Sequence, residues 1–189
     1  MFTEKLTQIT LAELQTYGST REDRSPLAER IGAYWTALGR PDLDGTDRDV
    51  PWSAAFISFM VRAAGAATSF PYSAQHSAYF YRTINDRVSH KKTGFWGYEI
   101  GTIDIQAGDI LGMNREGTNP IAYDWAEHHS DYKSHSDIVV EVNASGIKTV
   151  GGNVSQTVHS KTFGEEGGKL VNLAAPSQQP FVVIRSFLP

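Results

Sequence analysis

The chain has 189 residues, 40% of them hydrophobic and 11% aromatic, enough to bury one core of its own in the manner of an ordinary globular domain. A net charge of −4, with Lys and Arg scattered along the chain, excludes the concentrated basic footprint of a nucleic-acid surface. The absence of cysteine rules out disulfides, thiolate zinc sites and a cysteine nucleophile, and the longest apolar run, Ala54 to Ala67, is broken by Ser58 and Arg62 and too short to span a membrane.

Met1 to Gly18 is amphipathic, carries Glu4 and Glu13, and lacks the apolar centre of a signal peptide. The expectation is a soluble protein, either internal or exported by a secretion machine or a phage-lysis route. Leu6, Ile9 and Leu14 form a rough apolar stripe, and Thr10 with Glu13 is either a capping box or a surface pair. The first 24 or so residues thus read as an extra helix on a single domain covering 1–189. Ser25-Pro26 predicts a helix start, with Leu27, Ile31, Tyr34 and Leu38 at helical spacing and Gly39 as the stop. Asp42 to Asp49 is an acidic loop.

A third helix opens at Pro51. Trp52, Ala55, Phe56, Phe59, Met60 and Ala63 lie on one face and Ile57, Val61 and Ala64 on the other, so this helix is buried on several sides and ends at Gly65. A fourth runs from after Ser73 to about Asp86. Gly94 to Gly101 reads as a Gly/aromatic loop, and Ala107-Gly108-Asp109 as a turn into a strand, Ile110 to Met113. Asn114 to Ser134 is long and polar, as functional loops often are. Ile138 to Val142 and Ile147 to Val150 flank Asn143-Ala144-Ser145-Gly146 as a hairpin, and Phe181 to Phe187 is a last strand. Helices first and antiparallel strands later give an α+β fold, with N-terminal helices packed on a small antiparallel sheet.

Three residues stand where chemistry could be done. Ser53 lies in the first turn of the most buried helix, where free N–H groups and the positive dipole end favour negative charge. Such a place suits a nucleophile and its oxyanion; a simple helix cap is the other reading. His135 leads the strand that follows it, a position for a general base or for an ordinary loop histidine. Asn153 follows the next strand and could orient an imidazole or merely serve a turn.

Their order carries a resemblance. Pro51-Trp52-Ser53-Ala54-Ala55-Phe56 resembles the Pro-Trp-Cys-Ala-Ala-Phe stretch of the NlpC-type and CHAP-type bacterial cell-wall amidases and peptidases, which are papain-like. Ala107-Gly108-Asp109-Ile110 is similar to their Pro-Gly-Asp turn, His135-Ser136-Asp137-Ile138-Val139 to their His-Val-Gly-Ile-Val segment, and Gly151-Gly152-Asn153-Val154-Ser155 to their Glu-Gly-Asn-Val-Ser. An uncharacterised bacterial branch of this group carries Trp-Ser-Ala-Ala-Phe, which the chain resembles most. The resemblance spans roughly residues 25 to 187 and implies a papain-like amidase or endopeptidase acting on peptidoglycan or peptide, with no cofactor. In it Ser53 is the nucleophile, His135 the base and Asn153 the orienting group. Two positions depart from the pattern: Ser replaces Cys at 53, and Gly151 stands where several relatives carry an acidic residue. A hydroxyl is barely ionised near neutral pH and needs a well-placed base.

Two other readings stand beside this one. The fold could be kept as a catalytically silent binding or toxin-like domain, with an immunity or delivery protein as partner. Alternatively His128, His129, Asp131 and His135 could hold a divalent metal for hydrolysis, although no regular ligand spacing links them and no metal is expected. His76 either approaches the site from the fourth helix or is a packed structural histidine. Trp52, Trp96 and Trp125 are, with His76, the expected contacts to substrate.

Overall fold

The computed structural model describes residues 1–115, 118–166, 169–171 and 178–189. Helices α1 (Phe2–Tyr17), α2 (Leu27–Thr36), α3 (Ser53–Ala64) and α4 (His76–Val88) come first. They are followed by β1 (Phe95–Glu99), β2 (Ile110–Asn114), the short α5 (Tyr123–Ala126), β3 (Ser134–Asn143), β4 (Gly146–Val154), β5 (Thr157–Glu166), β6 (Lys169–Val171) and β7 (Pro180–Ser186). Among the described residues the strands form one antiparallel sheet, ordered β1-β7-β2-β3-β4-β5, with the short β6 extending it beyond β5. The fold is α+β, as the order of patterns predicts.

The helices cover one face of this sheet. Strand β3 shows the alternation that makes this possible: Ile138 and Val140 join the large core under the helices, whereas Val139 joins a smaller cluster with Leu111, Met113, Ile147, Phe163 and Val183 on the other face. Helix α3 lies at the centre. Nine of its twelve residues are buried, and it ends on Gly65 in the left-handed conformation (φ 107°). Its aromatic residues and Trp52 pack with Tyr34 of α2 at centroid separations of 5.2 to 5.9 Å.

Several expectations are corrected here. Thr10 and Glu13 do not form a cap; they sit buried in the middle of α1, where Glu13 accepts hydrogen bonds from Arg30 (Nε 2.5 Å, Nη2 3.0 Å) and from the Tyr34 hydroxyl (2.6 Å). This group ties α1 to α2 through a charge that burial would otherwise make costly. Helix α2 begins at Leu27 with no side-chain cap, so Ser25 is not its N-cap. The segment read as a Gly/aromatic loop contains β1, and β5 follows β4 where no element is read from the sequence.

Candidate active site

Strands β2, β3 and β4 run antiparallel, so the end of β2, the start of β3 and the end of β4 come together at one end of the sheet. Helix α3 starts above this end. A cavity of about 220 Å³ opens there, lined among others by Pro51, Ser53, Arg115, His135, Asn153 and Lys161. A second cleft, bordered by Gln75, His76, Asp131, Tyr132 and Lys133, shares Pro51, Ser53, Arg115 and Ser134 with the first. Ser53 therefore stands on the rim common to both.

Two glycines let the helix and the strands come this close. A Cβ on Gly152 would lie 2.6 Å from both Phe56 Cβ and Trp52 Cζ3, so only glycine permits β4 to seat the first turn of α3. A Cβ on Gly151 would lie 1.9 Å from Asp137 Oδ1 and 3.2 Å from His135 Nε2. The space above Gly151 is thus taken by a carboxylate reaching over from the neighbouring strand.

That carboxylate orients His135. Residues 135 and 137 are two apart on β3 and share a strand face, and His135 Nε2 lies 2.9 Å from Asp137 Oδ1. The second oxygen, Oδ2, accepts from Thr149 Oγ1 at 3.1 Å and faces Lys161 Nζ at 3.4 Å. Burial works against the charge of Asp137, but the adjoining His135 ring, Lys161 and Thr149 hold its carboxyl well below the ordinary range. With Nε2 engaged, Nδ1 of His135 is the nitrogen left for other work.

Asn153 does something else than expected. Its amide donates to Glu22 Oε2 (3.2 Å) and accepts from the Trp52 N–H (3.3 Å), and it makes no hydrogen bond to His135. Trp52 Nε1 donates to the same Glu22 oxygen at 2.8 Å. Asn153, held at φ 57°, is therefore a staple that pins the residue before Ser53 to β4 and to the loop after α1. The group that orients His135 is Asp137. The sequence contains a signal for it, because His135 and Asp137 stand two apart in a strand.

His76 is the second residue whose place differs. It opens α4, is 6% exposed, and its Nε2 lies 2.7 Å from Ser53 Oγ. Among the described residues this is the hydrogen bond that Ser53 makes through its side chain, and none joins Ser53 to His135 directly. On its other side Nδ1 meets the Tyr79 hydroxyl and, at 2.8 Å, Ser136 Oγ; those two hydroxyls are 2.6 Å apart. Burial, reinforced by the nearby His135, pushes the His76 imidazole well below its usual range and keeps it neutral. The two imidazole centroids are 5.4 Å apart. His76 is thus a partner of Ser53 from behind, not an exposed contact for substrate.

The first turn of α3 has no side-chain cap. Its leading N–H groups are available to an oxyanion beside Ser53. The sequence matches the bacterial family described as "Uncharacterized protein conserved in bacteria (DUF2272)" over residues 10–180. The chain belongs to the DUF2272 family. The DUF2272 match takes in Ser53, His76, His135, Asp137 and Asn153. Neither the curated proteins nor the solved structures give a significant match to it.

The remaining expected residues of this DUF2272 chain fall in three places. Trp52 is 2% exposed, its ring packed on Tyr34 and Phe56, so it holds the core and lines neither of the two clefts. Trp96 lies on the edge strand β1 against His90, Tyr98 and Phe187, away from both clefts. Trp125, 43% exposed, lines a further cleft with Pro120, Ile121, Tyr132 and Lys133; its indole stacks flat on His129 at 3.8 Å. The metal grouping is not assembled: His135 bonds Asp137, His129 bonds the Trp125 carbonyl, and Asp131 faces Gln75. Among the described residues no three His, Asp or Glu side chains lie together as a metal site, and no helix is long and apolar enough to cross a membrane.

Proposed function

We propose that this chain hydrolyses an amide or peptide bond on a papain-like plan, with peptidoglycan or its peptides as substrate. The observation that carries the reading is that Ser53, at an uncapped helix N-terminus, and His135, oriented by Asp137, line one cavity. Ser53 Oγ attacks the carbonyl carbon while its proton passes to His135 Nδ1. The oxyanion is met by the N–H groups of the first turn of α3. The imidazolium then protonates the departing amine, and water, deprotonated by the same nitrogen, releases the acyl group from Ser53. Asp137 stays ionised throughout and stabilises the imidazolium, a role that a relative's acidic side chain at position 151 would fill from the neighbouring strand. Arg115, Lys133 and Lys161 around the two clefts suit a substrate bearing carboxylates, as peptide stems do.

The test uses purified sacculi and soluble muropeptides with wild type, Ser53→Ala, Ser53→Cys and His135→Ala. New free amines are expected from wild type and Ser53→Cys, and none from Ser53→Ala or His135→Ala. Turnover that survives Ser53→Ala removes Ser53 from the mechanism. A catalytically silent binding domain is the second reading, favoured by the direct hydrogen bond of Ser53 to the neutral His76 and not to His135. It predicts wall binding in a pull-down with no release of amines by wild type or Ser53→Cys.

A further inference from the structure

The hydrogen-bond partner of Ser53 is a buried imidazole with a closed network behind it, and counting hydrogens in that network decides which nitrogen holds the proton. Nδ1 of His76, the Tyr79 hydroxyl and Ser136 Oγ form a triangle in which every pair is within hydrogen-bond distance. Tyr79 and Ser136 are fully buried, and among the described residues their hydroxyls have no acceptor outside the triangle. Each side of the triangle can hold one hydrogen. If Nδ1 carried a proton, three hydrogens would compete for the triangle and its nitrogen could accept none, so one buried hydroxyl would have no acceptor, which is costly. If Nδ1 keeps its lone pair, one hydroxyl donates to it, the second donates to the first, and all hydrogens are satisfied.

We propose that His76 is a permanent hydrogen-bond donor to the Ser53 oxygen, its proton held on Nε2 because the Tyr79 and Ser136 hydroxyls occupy Nδ1. This rests on the reading of Ser53 as the nucleophile and assigns to that site a catalytic residue beyond His135. With Oγ accepting from His76, the proton of Ser53 must point elsewhere, into the cavity that His135 lines. The bond strengthens as negative charge builds on Oγ, first when Ser53 loses its proton and again when Oγ leaves the second tetrahedral adduct. His76 transfers no proton: Nε2 keeps its hydrogen throughout, and the mobile proton belongs to His135. Tyr79 and Ser136 are positioning residues that set the tautomer. The charged and titratable groups facing His76 are His135, Asp137 and Arg115, with Tyr79 on its own helix, and burial keeps the ring neutral among them.

The tautomer is read directly from long-range proton–nitrogen correlation spectra of the intact chain carrying ¹⁵N-histidine. His76 is assigned through loss of its signals in His76→Gln. The expected result is a protonated Nε2 and an unprotonated Nδ1, unchanged from about pH 5 to about pH 9. A proton on Nδ1, or titration of His76 within that range, overturns the proposal whether or not the chain is an enzyme. The catalytic consequence is read by labelling Ser53 with a fluorophosphonate. His76→Leu should slow labelling roughly a hundredfold, the cost of losing one preorganised donor, while His76→Gln, whose amide N–H reaches the same place, should retain most of the rate. Equal labelling of His76→Leu and wild type overturns the donor role. No labelling of wild type, with the tautomer as expected, tells against Ser53 as nucleophile and leaves the tautomer assignment standing.

Discussion

Replacing Gly151 by alanine should damage this protein through one contact. The new methyl would lie 1.9 Å from Asp137 Oδ1, so the carboxylate must retreat by about 1.5 Å to reach ordinary van der Waals distance. A displacement of that size breaks the bonds of 2.9 Å to His135 and 3.1 Å to Thr149. Overpacking of this kind costs about 1–3 kcal/mol. Asp137→Ala should cost more, about 3–5 kcal/mol, because it removes the buried carboxylate that pairs with Lys161 and is hydrogen-bonded to His135 and Thr149. In the Asp137→Ala background the nearest atom left to the new methyl is His135 Nε2, at 3.2 Å, so adding Gly151→Ala should cost little. The double variant should therefore match Asp137→Ala, with a coupling energy of about 1–3 kcal/mol. Urea unfolding followed by fluorescence measures this directly; at a slope of about 1–3 kcal/mol per molar, Gly151→Ala alone should lower the midpoint by roughly 1 M. Additive losses in the double variant would refute the argument, since the methyl would then be meeting something other than Asp137.

Two further outcomes follow from the same site. Asp137 is held well below the ordinary carboxylate range, so its stabilisation is complete at and above that range and drains away as pH falls beneath it; the urea midpoint of wild type should fall more steeply than that of Asp137→Asn as pH drops below about 4. At Asn153, with φ 57°, Asn153→Gly removes the amide staple together with the Cβ that sits in the left-handed region, whereas Asn153→Ala removes the staple and leaves that Cβ there. Asn153→Ala should be the less stable of the two by about 1 kcal/mol by thermal unfolding, and both should slow the proposed hydrolysis by displacing the first turn of α3.

Much of this architecture was legible in the sequence. Helix α3 is marked by Pro51 and Gly65 and by apolar residues nearly all round, and the β3–β4 hairpin by Asn143 to Gly146 between two apolar runs. Strand β1 was hidden by Gly97, which reads as loop but is needed because a Cβ there would lie 3.0 Å from Ile84 and Thr83 of α4. Strand β5 was hidden by its composition: Val158 and Phe163 are its apolar anchors among Thr, His, Ser and Lys. Ser53 and His135 could be picked out because each has a local context, a helix start and a strand start. Of their partners, Asp137 is marked only by standing two residues on along the same strand, and His76 by nothing. Which side chain fills the place above Gly151, and which imidazole reaches Ser53, depend on how β3 lies beside β4 and how α4 returns past α3, and neither packing leaves a pattern in the chain. Asn153 misled for the same reason, since its amide is spent on Glu22 and Trp52.

The position of Ser53 on the rim shared by two clefts has a bearing on which bond in a polymer could be cut. A pocket closed on one side selects a chain terminus, because residues beyond the reacting bond have nowhere to go. Here, among the described residues, space opens both toward Lys161 and Asn153 and toward Gln75 and Lys133, and a polymer could lie across Ser53 with units on each side. Such a site would favour interior linkages. Digestion of long substrate would then produce fragments of intermediate length before single end units, and a steady release of end units from the first minutes would contradict it.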